Sequence, residues 1–237
     1  MLVSCEHGGN RVPPRYAALF RGAERVLASH RGHDLGSLEL ARSFARRLAA
    51  PLISATTTRL LVELNRSIGH PSLFSSYTRD LDDTDRDELL ARYYYPYRRQ
   101  VEAQIAATIA KRCVALHVSM HTFTPALDGH ERRADIGLLY DPRRPLERQL
   151  CAAWREAIRA ARGDLAVRRN YPYLGSADGL TTHLRRQHSA QDYVGVELEV
   201  NQRWAAASRA DRTALQRTLA ETFRTAQVAC GLSAAAR

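Results

Sequence analysis

Long apolar runs are what this 237-residue sequence most plainly lacks. No stretch approaches the about 18 uninterrupted apolar residues of a membrane span, so a transmembrane protein is not expected. No basic segment followed by an apolar one opens the chain, so no secretory signal is expected either. Cysteine is scarce: Cys5, Cys113, Cys151 and Cys230 stand far apart and form no CxxC pair. Isolated thiols suit a reducing compartment, and the expected location is the cytoplasm. Zinc-finger spacing and a glycine-arginine tail are absent. So are the GxSxG nucleophile turn and the glycine pattern with lysine of a phosphate-binding loop. No repeat, linker or low-complexity boundary appears, and the expectation is one domain over 1–237.

What is plentiful is arginine, and the formal charge is +10. That raises the question of nucleic acid. The excess is spread along the chain, however, in short runs such as "YRRQ", "RRPLERQ" and "VRRN" flanked by apolar residues. Nucleic acid is not expected as the main ligand. A basic surface that attracts small anions accounts for the charge equally well. A membrane partner is not expected, and the sequence is compatible with a homo-oligomer.

Strand-like and helix-like stretches alternate. Leu2 to Cys5 reads as a short strand entering the glycine turn of "VSCEHGGNRVPP". Leu38, Leu40, Ala41, Phe44 and Leu48 give a helical face from about Gly36 to Ala49. "LISATTTRLLVELNRS" reads as one or two strands, and a helical region runs from Asp87 to Arg112 with a break near Tyr95, before Pro96. "CVALHVSMHTFTP" is the best interior strand, and "ADIGLLYDP", "DLAVRRN" and "YVGVELEVNQ" are further ones. Helices are expected in "PLERQLCAAWREAIRAARG" and "GLTTHLRRQHS", and from Trp204 to about Cys230. The alternation predicts an α/β layer architecture with a mostly parallel or mixed central sheet.

Ligands in open α/β sheets bind beyond the carboxyl ends of strands. His7 follows the first strand, His121 sits near the end of the strongest, and Glu199 near the end of a late one. Alternation puts His117, Ser119 and His121 on one strand face, and Gly195, Glu197 and Glu199 on another. Histidine and carboxylate side chains suit zinc, which commonly takes three protein ligands in catalytic sites. The bland readings are core packing for each histidine and a helix cap for Asp34.

Seven segments in order resemble the N-formylglutamate amidohydrolase family: "SCEHGGNRVPP", "SHRGHDLGSLELA", "TRLLVELNRS", "HVSMHTFTP", "RRADIGLLYDP", "NYPYLGSADGLTT" and "YVGVELEVNQRW". That family looks like a distant relative of zinc carboxypeptidases and aspartoacylases. The resemblance implies a three-layer α/β/α, zinc-exopeptidase-like fold with a central mixed sheet. It also implies a Zn2+ ion, or another divalent metal, held by His7, Asp34 and His121. The usual HxxE spacing is missing, because Asn10 stands three residues beyond His7. Glu6, His33 and His117 are rival ligands, His117 alternatively supporting His121 from behind. Glu199 is the implied general base and then proton donor, with Glu197 as competitor. Arg66 beside Asn65 resembles a clamp for a substrate carboxylate, with Arg59 and Arg185 as further binding candidates. Arg133 is the candidate to polarise the carbonyl or bind a second carboxylate. Gly8 and Gly9 are expected to let backbone approach a metal or ligand. The implied activity is hydrolysis of the amide bond of a small anionic amino-acid derivative, first N-formyl-L-glutamate, to formate and glutamate, as in histidine breakdown. A related N-acyl-amino-acid hydrolase, a small peptidase, and a basic nucleic-acid-binding module are the alternatives.

Overall fold

The protein is described from a computed structural model covering residues 1–232. Its elements follow in chain order: β1 (Leu2–Cys5), α1 (Glu24–Leu27), α2 (Ser37–Leu48), β2 (Leu52–Ser54), α3 (Asp83–Leu89), α4 (Tyr95–Ala110) and β3 (Ala115–Phe123). The second half adds β4 (Ala126–Leu127), β5 (His130–Glu131), β6 (Ile136–Leu139), α5 (Pro145–Ala161), β7 (Val167–Arg169), α6 (Leu180–Gln187), β8 (Tyr193–Asn201) and α7 (Arg209–Ala229).

Six strands form one mixed sheet in the order β2-β1-β3-β8-β6-β7. The first four are mutually parallel, β6 runs antiparallel to β8, and β7 is parallel to β6. β4 and β5 pair as a separate hairpin. The architecture is an α/β/α sandwich. Helices α2, α5 and α7 cover one face, where Phe44, Trp154 and Phe223 pack on Val3, Val118, Met120, Val196 and Leu198. On the other face α4 and α6 bring Val101, Ile105, Leu180 and Leu184 to Leu2, Ala115 and Tyr193. Among the described residues no helix is long and apolar enough to cross a membrane.

One expectation needs correction, and another takes a specific form. The stretch 52–67 is strand only over Leu52–Ser54 and then folds into turns. Leu60, Leu61, Val62 and Leu64 are all buried, a run without the alternation of a half-buried strand. Their backbone is tied instead by turn and loop bonds, such as Leu61 N–H to Thr58 O and Glu63 N–H to Leu73 O. The break expected near Tyr95 is a widened π turn over Leu90–Tyr94, from which α4 continues. Pro96 has no N–H to close the preceding α turn, and the chain relaxes to a longer bond from Tyr95 N–H to Leu90 O.

Candidate active site

The strand ends build the site. His7 leaves the end of β1, and Asp34 precedes α2. The Asp34 N–H donates to His7 O at 3.0 Å, which fixes the two together. His121 and Glu199 are register partners across the parallel pair β3 and β8, so both side chains leave the sheet on one face. Asp34 is not a helix cap: Gly36 holds the N-cap position of α2 and makes no side-chain cap.

Three donor atoms converge. His7 Nδ1 lies 3.3 Å from Asp34 Oδ2, and His121 Nδ1 lies 2.9 Å from the same oxygen. The three ligand atoms fall within 4.8 Å of one another, all on buried residues. A tetrahedral ion with ligands about 2.0–2.2 Å away needs donors roughly 3.3–3.6 Å apart, and the two histidine–aspartate pairs are near that. The far side of each imidazole is occupied. His7 Nε2 is bound to Glu63 Oε1. His121 Nε2 faces Ser119 Oγ at 2.9 Å and Glu6 Oε2 at 3.2 Å. Acceptors there keep the proton on Nε2 and leave Nδ1 free for a metal, the arrangement usual behind metal-bound histidine. The donor set therefore fits a divalent metal.

Charge is balanced around these groups. Burial alone would push the carboxyls of Asp34, Glu6 and Glu63 up. The histidines and, for Asp34 and Glu63, Arg59 overcome it and hold all three below the usual range. Burial likewise works against charge on His7 and His121, yet the surrounding carboxylates hold both above the ordinary histidine value. Glu199 is different. Burial raises its carboxyl to about 7, and its Oε2 is buried with no hydrogen-bond partner among the described residues.

An open cleft with ≈ 880 Å³ of empty space reaches these residues. It is lined by His7, Asp34, His121 and Glu199, and also by Arg59, Asn65, Arg66 and Glu197. Glu197 is held by the Thr181 hydroxyl, which leaves Glu199 as the unengaged carboxylate. Arg66 donates through Nη1 to Asn65 O at 3.0 Å and Asp178 O at 2.8 Å, which orients its guanidinium. Asn65 Oδ1 accepts from Leu180 N–H at 2.6 Å, so Asn65 also closes the start of α6.

Other sequence expectations are corrected here. Arg59 lines the cleft but all three of its nitrogens engage Glu63 or Asp34, so it braces carboxylates rather than offering a free substrate clamp. Arg185 lies outside the cleft lining. It binds Glu147 and donates to Gly195 O at 2.9 Å, where β8 extends beyond its pairing with β6. Glu147 accepts from Gly195 N–H at 3.1 Å, so these charges replace the absent neighbour strand. Arg133 stands on the surface with an 82% exposed side chain and pairs with Glu131. His33 turns to Leu27 O, and His117 to Ser4 and Tyr193 rather than to His121. Burial lowers His117 to about 4, which leaves it neutral. Gly8 and Gly9 do allow a close approach, but to chain: added Cβ atoms would stand 2.9 Å from Ala55 O and 2.7 Å from Thr56 O. Asn10 donates to Leu27 O.

Glu63 is absent from the sequence expectations. Its one signal is a carboxylate inside the apolar run "LLVEL", where an unpaired charge is costly.

The sequence profile of the N-formylglutamate amidohydrolase (FGase) family matches residues 1–205. The chain belongs to that family. It is thus a member of a hydrolase family with a candidate His-Asp-His metal site. A crystal structure of gene product Atu2144 from Agrobacterium tumefaciens is similar at TM-score 0.84 and 28% identity, covering 97% of this chain and 91% of that one. The N-formylglutamate amidohydrolase from Ralstonia eutropha JMP134 superposes at TM-score 0.71 and 18% identity, over 95% of this chain and 93% of that one, and shares the fold. No curated protein matches the sequence.

Proposed function

We propose that the protein is a metal-dependent hydrolase of the amide bond in an N-formyl or N-acyl amino acid. The observation that carries this reading is Glu199, a buried carboxylate with an unpartnered oxygen, in one cleft with His7, Asp34 and His121. Those three residues would hold the metal, for which zinc is the first choice by ligand type. Bound there, a divalent metal supplies an acidified water and a polarised carbonyl. Glu199, with its carboxyl near 7, takes a proton from water and returns it to the leaving amine. Arg66 and the amide of Asn65 orient the substrate carboxylate. Glu63 and the Glu6–Ser119 pair keep the two imidazoles aimed at the metal. The sequence order of early histidine, carboxylate, later histidine and late glutamate supports kinship with zinc carboxypeptidases and aspartoacylases. N-formyl-L-glutamate, the compound in the family's name, is the first substrate to test.

The test strips the purified protein of metal, reloads it with zinc and follows amine release from N-formyl and N-acetyl amino acids. Stoichiometric zinc and zinc-restored release are expected. Glu199→Gln should keep the metal and lose turnover. Absence of stoichiometric metal would overturn the site, and turnover by the variant would overturn the role of Glu199.

A further inference from the structure

The chain returns from the β4–β5 hairpin to the site at Arg132. The Arg132 N–H donates to Pro125 O at 2.7 Å, one residue beyond Phe123 and Thr124, which line the cleft at the end of β3. The Arg132 carbonyl accepts from Asn201 Nδ2 at 2.9 Å. Asn201 is fully buried and stands two residues beyond Glu199 on β8. The backbone at Arg132 is therefore tied to both strand ends that carry His121 and Glu199.

Two neighbouring arginines leave this point differently. Arg133 is exposed and pairs with Glu131. Arg132 is half-buried and pairs with no carboxylate among the described residues. Its guanidinium lies 5.3 Å from the centroid of the Tyr173 ring, and its Nη1 donates to Tyr173 Oη at 3.3 Å. Tyr173 lines the cleft together with Leu127 of the hairpin. Nε and Nη2 of Arg132 have no protein partner among the described residues. The phenol accepts from Nη1, so its own O–H remains to donate. Free guanidinium N–H groups beside a phenolic O–H suit a carboxylate in charge and in geometry. Contact with the ring also limits the rotamers of the arginine, so less freedom is lost when an anion binds.

Resting on the hydrolase reading above, we infer that Arg132, acting with the Tyr173 hydroxyl, is the residue that reads the side-chain carboxylate of the substrate. Arg66 takes the α-carboxylate at its own place in the cleft. The role that the sequence suggests for Arg133 thus falls to its neighbour. Arg133 is spent on Glu131, whereas Arg132 keeps donors free beside a residue of the lining.

The experiment compares kcat/KM of the zinc-loaded enzyme for N-formyl-glutamate and N-formyl-glutamine, which match in shape and differ in charge. The wild type is expected to favour glutamate by about tenfold or more, as a charged hydrogen-bonded pair provides. Arg132→Met removes the charge and keeps the stem, and the ratio should fall to within about threefold of unity. Arg132→Lys keeps a point charge without the fork and should restore part of the preference. Tyr173→Phe keeps the ring and should lower the ratio by about threefold. Arg133→Met should leave the ratio at its wild-type value. The ratio reads charge at one end of the substrate, so a general loss of folded or metal-loaded enzyme does not move it. A wild type without the preference, an Arg132→Met ratio equal to wild type, or a ratio that responds to Arg133→Met instead would overturn the inference and leave the hydrolase reading standing. If neither compound is turned over, the hydrolase reading falls. Calorimetric binding of both compounds to wild type and Arg132→Met then decides. A glutamate preference lost in the variant supports the site, and equal binding, or a preference that the variant keeps, overturns it.

Discussion

The two faces of β3 and β8 are made by the same residues in alternation, and they do different work. On one face stand Leu116, Val118 and Met120, beside Val194, Val196, Leu198 and Val200, all buried under α2, α5 and α7. On the other stand His117, Ser119 and His121, beside Gly195, Glu197 and Glu199. The apolar face gains stability from dehydrated area and close packing. The polar face holds buried charges that would be costly alone and are tolerable because each meets a partner. Glu199 is the exception, with one oxygen unanswered. The difference assigns folding to one face and chemistry to the other, and substitutions should separate them.

The largest effect is expected at Glu199. Glu199→Gln should lower kcat by about 10²–10⁴-fold, the usual contribution of a positioned acid-base group. Metal content and the cooperative unfolding transition should persist. Trp154→Ala, beneath the opposite face, should do the reverse. It removes a fully buried ring packed at an angle against Phe44 and edge-on to Phe223 and should cost about 3–5 kcal/mol. The fraction that stays folded should retain the wild-type kcat. Denaturant unfolding and steady-state kinetics on both variants test the division, and a Trp154→Ala enzyme that is folded yet inactive would break it.

pH sharpens the contrast in the metal-free protein. The Glu199 carboxyl is raised to about 7, so the folded state holds a proton that the unfolded chain releases near 4.5. The contribution of Glu199 is therefore greatest below about 4.5, declines as pH rises toward 7, and amounts to about 3 kcal/mol at most. Asp34, Glu6 and Glu63, held low, act in the opposite sense, losing their contribution as pH falls. The difference between wild type and Glu199→Gln isolates the first term: the wild type should lose ground to the variant between pH 4.5 and 7. A difference that stays constant across that window would contradict it.

A third substitution tests how the polar face is braced. Glu63→Gln keeps the shape beside His7 and removes the carboxylate that fixes its Nε2 proton. Zinc affinity should fall about 10–100-fold, measured by competition with a chelator. An unchanged affinity would mean that the His7 orientation is set elsewhere.

The sequence was informative where local pattern and chemistry coincide. Alternation along "LHVSMHTF" and "VGVELEVN" places His121 and Glu199 on sheet faces correctly, because β side chains have a period of two. Helix periodicity over Gly36 to Ala49 comes within a residue of α2. Arginine was the least legible residue type. Arg59, Arg66, Arg133 and Arg185 look alike in sequence, and their fates depend on what the fold brings near. Arg66 reaches the cleft, Arg59 is taken by two carboxylates, Arg185 covers a strand edge, and Arg133 faces water. Glu63 was missed for a similar reason: its partners, His7 and Arg59, are joined to it only when the turns after β2 fold back on the end of β1.

Those arginines yield the smallest expected effect and the most direct control. Arg133 is paired with Glu131 at the surface, both side chains mostly exposed. Such pairs contribute roughly 0–1 kcal/mol, screened further by salt. Arg133→Ala should leave zinc content unchanged and change kcat/KM by less than about twofold. Arg185→Ala carries the same change of formal charge but uncovers Glu147 in the interior. Arg144 still pairs with Glu147 at 3.2 Å, so the loss should be part of the about 3–5 kcal/mol of a stranded buried partner, and larger than for Arg133→Ala. The pair thus compares position at constant chemistry. Were Arg133→Ala to lose turnover at full stability, the arginine would have to reach the substrate from the β4–β5 hairpin, and the division between an inert surface and a chemical strand end would have to be redrawn.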